Sequence, residues 1–190
     1  MPLTALDPNT ALIVVDLQKG IVNGNFIHPI GEVIDRTCAL INVFRAQSLP
    51  VVLVNVAGRA PGRTEQGPRS STSLSEGWTD LLPQLNQNPV DLVVSKRSWG
   101  AFATTDLEQQ LKARGVTQVV VTGVVTSTGV EATARQAYEQ GFNVTLAVDA
   151  MTDLRKEAHE YSIRSVFPRL GETGTTQEII SLLEKRSSAL

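Results

Sequence analysis

Five runs of aliphatic, largely β-branched residues punctuate this chain: Ala11 to Val15, closing at Asp16, then Val51 to Val56, Asp91 to Ser95, Gln118 to Thr122 and Asn143 to Val148. They are continuously apolar rather than alternating, which predicts strands buried on both faces of a parallel sheet. A weaker sixth strand is expected near Leu170 to Thr173. Between the runs, apolar residues return at three- and four-residue spacing over 31–47, 105–114, 127–140, 156–166 and 176–185, the period of helices with one buried face. Strands alternating with helices predict an α/β fold: three layers, α-β-α, around a Rossmann-like, mostly parallel six-stranded sheet. The common strand order for such a sheet is 3-2-1-4-5-6. No internal repeat and no linker interrupts the pattern, so residues 1–190 read as one domain.

One stretch lacks either period. Residues 57–77 carry four glycines, two prolines, several Ser and Thr, and Arg59, Arg63 and Arg69. A loop this long inside a compact domain is commonly functional. Leaving the carboxyl end of the second strand, it reads as a substrate lid, with a mobile surface loop or a subunit contact as the alternatives.

Composition narrows the partners. With 42% hydrophobic and 19% charged residues the chain has the make-up of a soluble globular protein. A net charge of −2 offers no basic patch for nucleic acid or an anionic membrane. The apolar runs are far shorter than a membrane span, and Met1-Pro2-Leu3-Thr4 lacks the basic start of an export leader, so a cytoplasmic protein acting on a small molecule is expected. Cys38, the lone cysteine, fits a reducing compartment; sharing a helical face with Ile34 and Ile41, it reads as a small buried core residue.

The chemistry-bearing residues sit at strand ends. In the order 3-2-1-4-5-6, strands one and four are neighbours at the topological switch point, and open α/β sheets bind ligands outside the carboxyl ends of their strands. Asp16 in Asp16-Leu17-Gln18, Lys96 in Lys96-Arg97-Ser98-Trp99-Gly100-Ala101-Phe102, and Gly129 at the start of the helix after strand four then converge. Each has a plain structural reading: Asp16 as a turn cap, Lys96-Arg97 as a solvated basic pair, Trp99 and Phe102 as core or pocket wall, Gly129 as close packing of a helix start. Together they suggest a carboxyl group held by a lysine beside the exposed amides of a helix N-terminus, which attract anions. Val125, Ser127 and Gln18 fall on the same edge and join Trp99 and Phe102 as candidate substrate or anion contacts.

The stretch Gly123-Val124-Val125-Thr126-Ser127-Thr128-Gly129-Val130-Glu131-Ala132-Thr133-Ala134-Arg135 resembles the nucleophile turn of the isochorismatase-like (cysteine) hydrolase superfamily, Gly-Val-x-Thr-(Asn, Asp or Ser)-x-Cys-Val-x-x-Thr-Ala-Arg. Every motif position is met except the thiol, which is Gly129. The resemblance spans roughly Thr10 to Ile180. It implies an acid or base at Asp16, a lysine at Lys96, a cis peptide between Val124 and Val125, and a homo-oligomer, dimer or tetramer. Its metal-binding branch carries an Asp and two His after strand two, whereas the histidines here are His28 and His159, so no metal and no cofactor are expected. Ser127 and Thr128 have no neighbouring base in sequence to make them nucleophiles.

Isochorismatases also carry glycine in place of the cysteine and cleave a vinyl ether by proton delivery from the aspartate. The glutamine they place after strand two is Gly58 here, and the run after Lys96 differs from theirs. The expected activity is therefore that of a thiol-free branch: hydrolysis of a small, carboxylated metabolite by Asp16, Lys96 and a backbone anion hole. The alternative is a pseudoenzyme or small-molecule-binding protein that has lost its nucleophile.

Overall fold

The computed structural model describes residues 3–65 and 74–187. Its six strands form one sheet, β1 (Thr10–Val15), β2 (Val51–Val56), β3 (Leu92–Lys96), β4 (Gln118–Val124), β5 (Asn143–Thr152) and β6 (Glu172–Gly174), in the order β3-β2-β1-β4-β5-β6. Every pairing is parallel, and β1 lies between β2 and β4 in the register Val15↔Val54 and Val15↔Gly123. All residues of β1 and β4 are buried, which is why their sequences are mostly aliphatic.

Each face of the sheet carries its own core. Ile13, Val15, Val119 and Val121 pack against Leu107 and Leu111 of α2 (Leu107–Ala113) and Ala134 and Ala137 of α3 (Glu131–Glu139). Leu12, Val14, Leu53 and Val120 pack on the other face, against Leu40, Ile41 and Phe44 of α1 (Ile30–Ala46) and Ile179 and Leu183 of α5 (Thr176–Ser187). Residues 156–166 begin as α4 (Lys156–Tyr161) and widen into a π-type turn over Ser162–Val166. A short 3-10 turn at Pro83–Leu85, which the pattern did not suggest, precedes β3. Among the described residues no helix is long and apolar enough to cross a membrane.

Two expectations need correction. Cys38 is only partly buried: the centre of the α1 stripe is Val33, Thr37, Leu40 and Phe44, because Thr37 satisfies its hydroxyl against Thr122 Oγ1 (3.2 Å) and occupies the middle of the face. The thiol is displaced to the border, where it donates to the Gln84 carbonyl at 3.2 Å. Strand β5 also runs four residues beyond Val148, through a register shift that pairs Met151 with Gly123 and Thr152 with Val124. Of the 57–77 segment, residues 66–73, Arg69 included, lie outside the described residues, so the lid reading concerns its two limbs only.

Candidate active site

Asp16 is the first residue past β1. Its backbone lies in the left-handed region (φ 54°), which Asp enters more readily than most side chains, and its N–H donates to the Val54 carbonyl at 2.9 Å. Lys96 closes β3 and crosses to it: Nζ donates to Asp16 Oδ2 at 2.8 Å, to the Trp99 carbonyl at 2.8 Å and to the Ser98 carbonyl at 3.2 Å. Those three bonds use all three ammonium protons. Lys96 is 1% exposed and Asp16 6%, so the pair is largely buried, the carboxyl keeping a small exposed area. Among the described residues Asp16 Oδ1 has no hydrogen-bond partner. Burial pushes the Asp16 carboxyl up from 3.8 to about 6, against the opposing pull of the Lys96 charge and hydrogen bond. A carboxyl with one oxygen uncommitted and a pKa near neutrality can both give and take a proton.

The motif turn supplies the second wall. The Val124–Val125 peptide is cis, and Thr126–Val130 make a wide π-type turn before α3 begins. Gly129 is buried beside the acid: a Cβ there would lie 3.1 Å from Asp16 Oδ2, 3.1 Å from Val15 Cγ1 and 3.2 Å from the Val124 carbonyl. Several amides of this turn are already committed. Thr128 and Val130 donate to the Val125 carbonyl (3.1 and 3.2 Å), and Ser127 donates to Asp153 Oδ2 at 2.8 Å. Asp153, 2% exposed, accepts from Leu154 (2.7 Å) and Arg155 (3.1 Å) through its other oxygen. The helix start thus has a carboxyl group of its own chain bonded to it.

Asp153 and its neighbour His159 escaped the sequence reading. Strand five had been expected to end at Val148, although an Asp just past a strand end was the signal that singled out Asp16. The Thr126 hydroxyl donates to the Thr152 carbonyl (3.0 Å), so the 2.9 Å contact from His159 Nδ1 places a proton on that nitrogen. Burial and then His28 hold His159 below its usual pKa, with Asp153 and Glu160 pulling the other way. The two histidine rings pack edge to face, 4.9 Å between centroids. Among the described residues no group of three or more His, Cys, Asp or Glu side chains is arranged to hold a metal ion.

The other candidates fall in three places. Gln18 is fully buried with its amide spent on backbone: Nε2 donates to the Val56 and Trp78 carbonyls (3.1 and 3.2 Å), and Oε1 accepts the Val56 N–H at 2.7 Å. Phe102 is core, packed against Phe142 at 6.0 Å. Trp99 is 68% exposed, and its carbonyl accepts from Lys96. Two open clefts, one lined by Asn9, Arg45, Pro50 and Arg114 and the other by Asp7, Asn143 and Glu172, lie at the opposite, amino-terminal edge and touch none of Asp16, Lys96 or Gly129.

Residues 10–178 match the family model of the isochorismatase domain. The chain belongs to the isochorismatase family. Members of this family are hydrolases. The uncharacterised isochorismatase family protein YwoC of Bacillus subtilis is 37% identical over 177 residues, covering 90% of this chain and 92% of that protein. Nicotinamidase 3 of Arabidopsis thaliana is 30% identical over 171 residues, 84% of this chain and 83% of its own. The solved structure of an isochorismatase family protein from Burkholderia thailandensis superposes with a TM-score of 0.89 at 38% identity, covering 95% of this chain and 98% of that one.

Position 129 of this isochorismatase-family chain is open to a direct probe. Gly129→Cys introduces a Cβ at contacts of 3.1–3.2 Å, so neighbours must yield by a few tenths of an ångström, and the protein is expected to fold. The new thiol then sits beside Asp16, which can take its proton, at a helix start that favours thiolate. Cys38 is a built-in comparator, its thiol pushed up by burial and by Asp35 against the pull of Arg45. Brief alkylation followed by mass spectrometry is expected to label position 129 faster than 38. Equal or slower labelling at 129 in a folded variant means the turn does not activate a nucleophile.

Proposed function

We propose that this chain hydrolyses a small, carboxylated metabolite without a cofactor, with Asp16 as general acid and base, Lys96 as its electrostatic partner and the amides of Val125 and Gly129 as an anion site. The observation that supports this most directly is the buried Asp16 carboxyl, raised to about 6, with Oδ1 unbonded and Gly129 against it. Protonated Asp16 gives its proton to the leaving atom as the scissile bond breaks. Water adds its oxygen to the carbon left behind, and its spare proton returns to Asp16, so that one water is consumed and the acid is restored. Lys96, with every proton committed, acts through Asp16: it lowers the cost of the carboxylate formed when the proton leaves. With glycine at 129, no thioester forms at that position.

The test is a panel of small carboxylated metabolites assayed with the wild type and with Asp16→Asn. Asparagine keeps the shape and tolerates the left-handed backbone, so ligand binding is expected to persist while turnover falls by about 10²–10⁴-fold. An acid step limited by Asp16 gives a rate that declines as pH rises through about 6. Equal turnover by Asp16→Asn and the wild type would remove Asp16 from the mechanism. Binding of a metabolite by the wild type with no turnover would instead identify a binding protein that has kept the pocket.

A further inference from the structure

Thr133 belongs to the motif, yet neither the acid nor the anion site uses it. It is fully buried in the first turn of α3, and its hydroxyl makes two bonds: it donates to the Gly129 carbonyl at 2.7 Å and accepts the Ala101 N–H at 3.1 Å. The first is the back-bond to i−4 that buried threonines make on helices. The second leaves the helix and grips the segment after β3. One turn further, Gln136 Oε1 accepts the N–H groups of Phe102 (3.0 Å) and Ala103 (3.3 Å), and lies where a Cβ on Gly100 would come within 2.2 Å of it.

The same segment is held from its other side by Lys96, through the carbonyls of Ser98 and Trp99. Followed around, the contacts close on themselves. Gly129 is bonded to Thr133, Thr133 to Ala101, the 98–101 backbone to Lys96, and Lys96 to Asp16; Asp16 Oδ2 stands 3.1 Å from where a Gly129 side chain would begin. Hydrogen bonds or covalent backbone make every link except the last, and that gap is the site. A ring built in this way fixes the separation of its two open ends, since neither Asp16 nor Gly129 can shift without breaking a buried bond.

We propose that Thr133 is a positioning residue for Asp16: by tying the Gly129 carbonyl to the Ala101 amide, it holds the 98–101 backbone where Lys96 can bond it and Asp16 together. Loss of that tie frees the carbonyls of Ser98 and Trp99 to drift and take the ammonium with them, so the carboxyl loses its nearest cation. The inference concerns the same site as the proposed reaction, but its test reads Asp16 itself, so failure to find a substrate leaves it standing or falling on its own.

The experiment is an NMR titration of isotope-labelled aspartate carboxyls in the whole protein, with Asp16 assigned by its disappearance in Asp16→Asn. In the wild type the Asp16 midpoint is expected at about 6. Thr133→Val, which keeps the shape and removes the hydroxyl, is expected to raise it by about one pH unit as the lysine withdraws. Thr133→Ser, which keeps both bonds, is expected to restore it, an outcome that packing alone does not produce. Should the valine variant fail to fold, Thr133→Ala removes the same bonds with less bulk and is expected to move the midpoint the same way. An unchanged or lowered midpoint in either folded variant, or a serine variant that behaves like valine, overturns the proposal.

Discussion

Lys96→Met is expected to cost about 3–5 kcal/mol at neutral pH, the loss typical of removing one partner from a buried ion pair. Methionine fills much of the lysine's length, so the loss is electrostatic rather than a cavity. It leaves the Asp16 carboxylate buried with no counter-charge and strips the Trp99 and Ser98 carbonyls of their donor. The penalty has a direction in pH. In the wild type the folded carboxyl is raised from 3.8 to about 6, so its contribution to stability is fully present below 3.8 and is lost as pH climbs through about 6. Without the lysine the folded value rises further, and that loss extends over a wider span above 6. Urea midpoints at pH 5 and pH 8 are the measurement. The penalty is expected to be much smaller at pH 5, where Asp16 is mostly protonated in both and only the loss of the donor to the two carbonyls remains, than at pH 8. An equal penalty at the two values would show that Lys96 serves packing and not charge.

Gly123→Ala is expected to be at least as damaging, for a different reason. At this residue β4 presses against β1: a Cβ would stand 2.1 Å from the Val15 carbonyl oxygen and 2.7 Å from its nitrogen. The obstacle is backbone in the middle of a sheet, so no side chain can turn aside, and φ is +110°, where alanine is strained whatever the space. Overpacking and the unfavourable dihedral together are expected to cost about 3–5 kcal/mol, much of the stability of an ordinary domain. The control is Gly129→Ala, six residues on, where the contacts are 3.1–3.2 Å and φ is ordinary. Soluble yield and urea midpoint should separate the two sharply. A folded, near-wild-type Gly123→Ala would mean that the strands can part at the switch point, and the tight coupling of Asp16 to the turn would be lost with it.

What could be read in the chain beforehand follows from where information is carried by pattern. Strands buried on both faces have no choice but to be apolar, so β1, β2, β4 and the start of β5 were plain, and the strand order brought Asp16, Lys96 and Gly129 to one edge. The end of β5 was not, because Asp149 and Thr152 break the apolar run while the pairing with β4 continues through the register shift. Asp153, which holds the Ser127 amide, went unseen for that reason alone. Thr37 was passed over because a buried hydroxyl looks polar until its partner on β4 is known, and Cys38 was placed too deep as a result. Gln18 and Lys96 share a different gap. Their positions were legible, but whether a polar group faces a ligand or is spent on the protein's own backbone depends on hydrogen bonds that no spacing encodes.

Gln18 bears on how this rim can diverge between relatives. Its single amide ties the N–H and carbonyl of Val56 to the carbonyl of Trp78, so the residues flanking 57–77 are pinned together from beneath, two positions past the acid. With the feet fixed, the entropy of closing the span grows only as the logarithm of its length, about 0.6 kcal/mol for each doubling. Insertions and deletions between those feet are therefore cheap and leave the Asp16–Lys96 pair undisturbed. The two described ends of the 57–77 segment are thus set by one side chain, two positions from Asp16, whatever the length of chain between them.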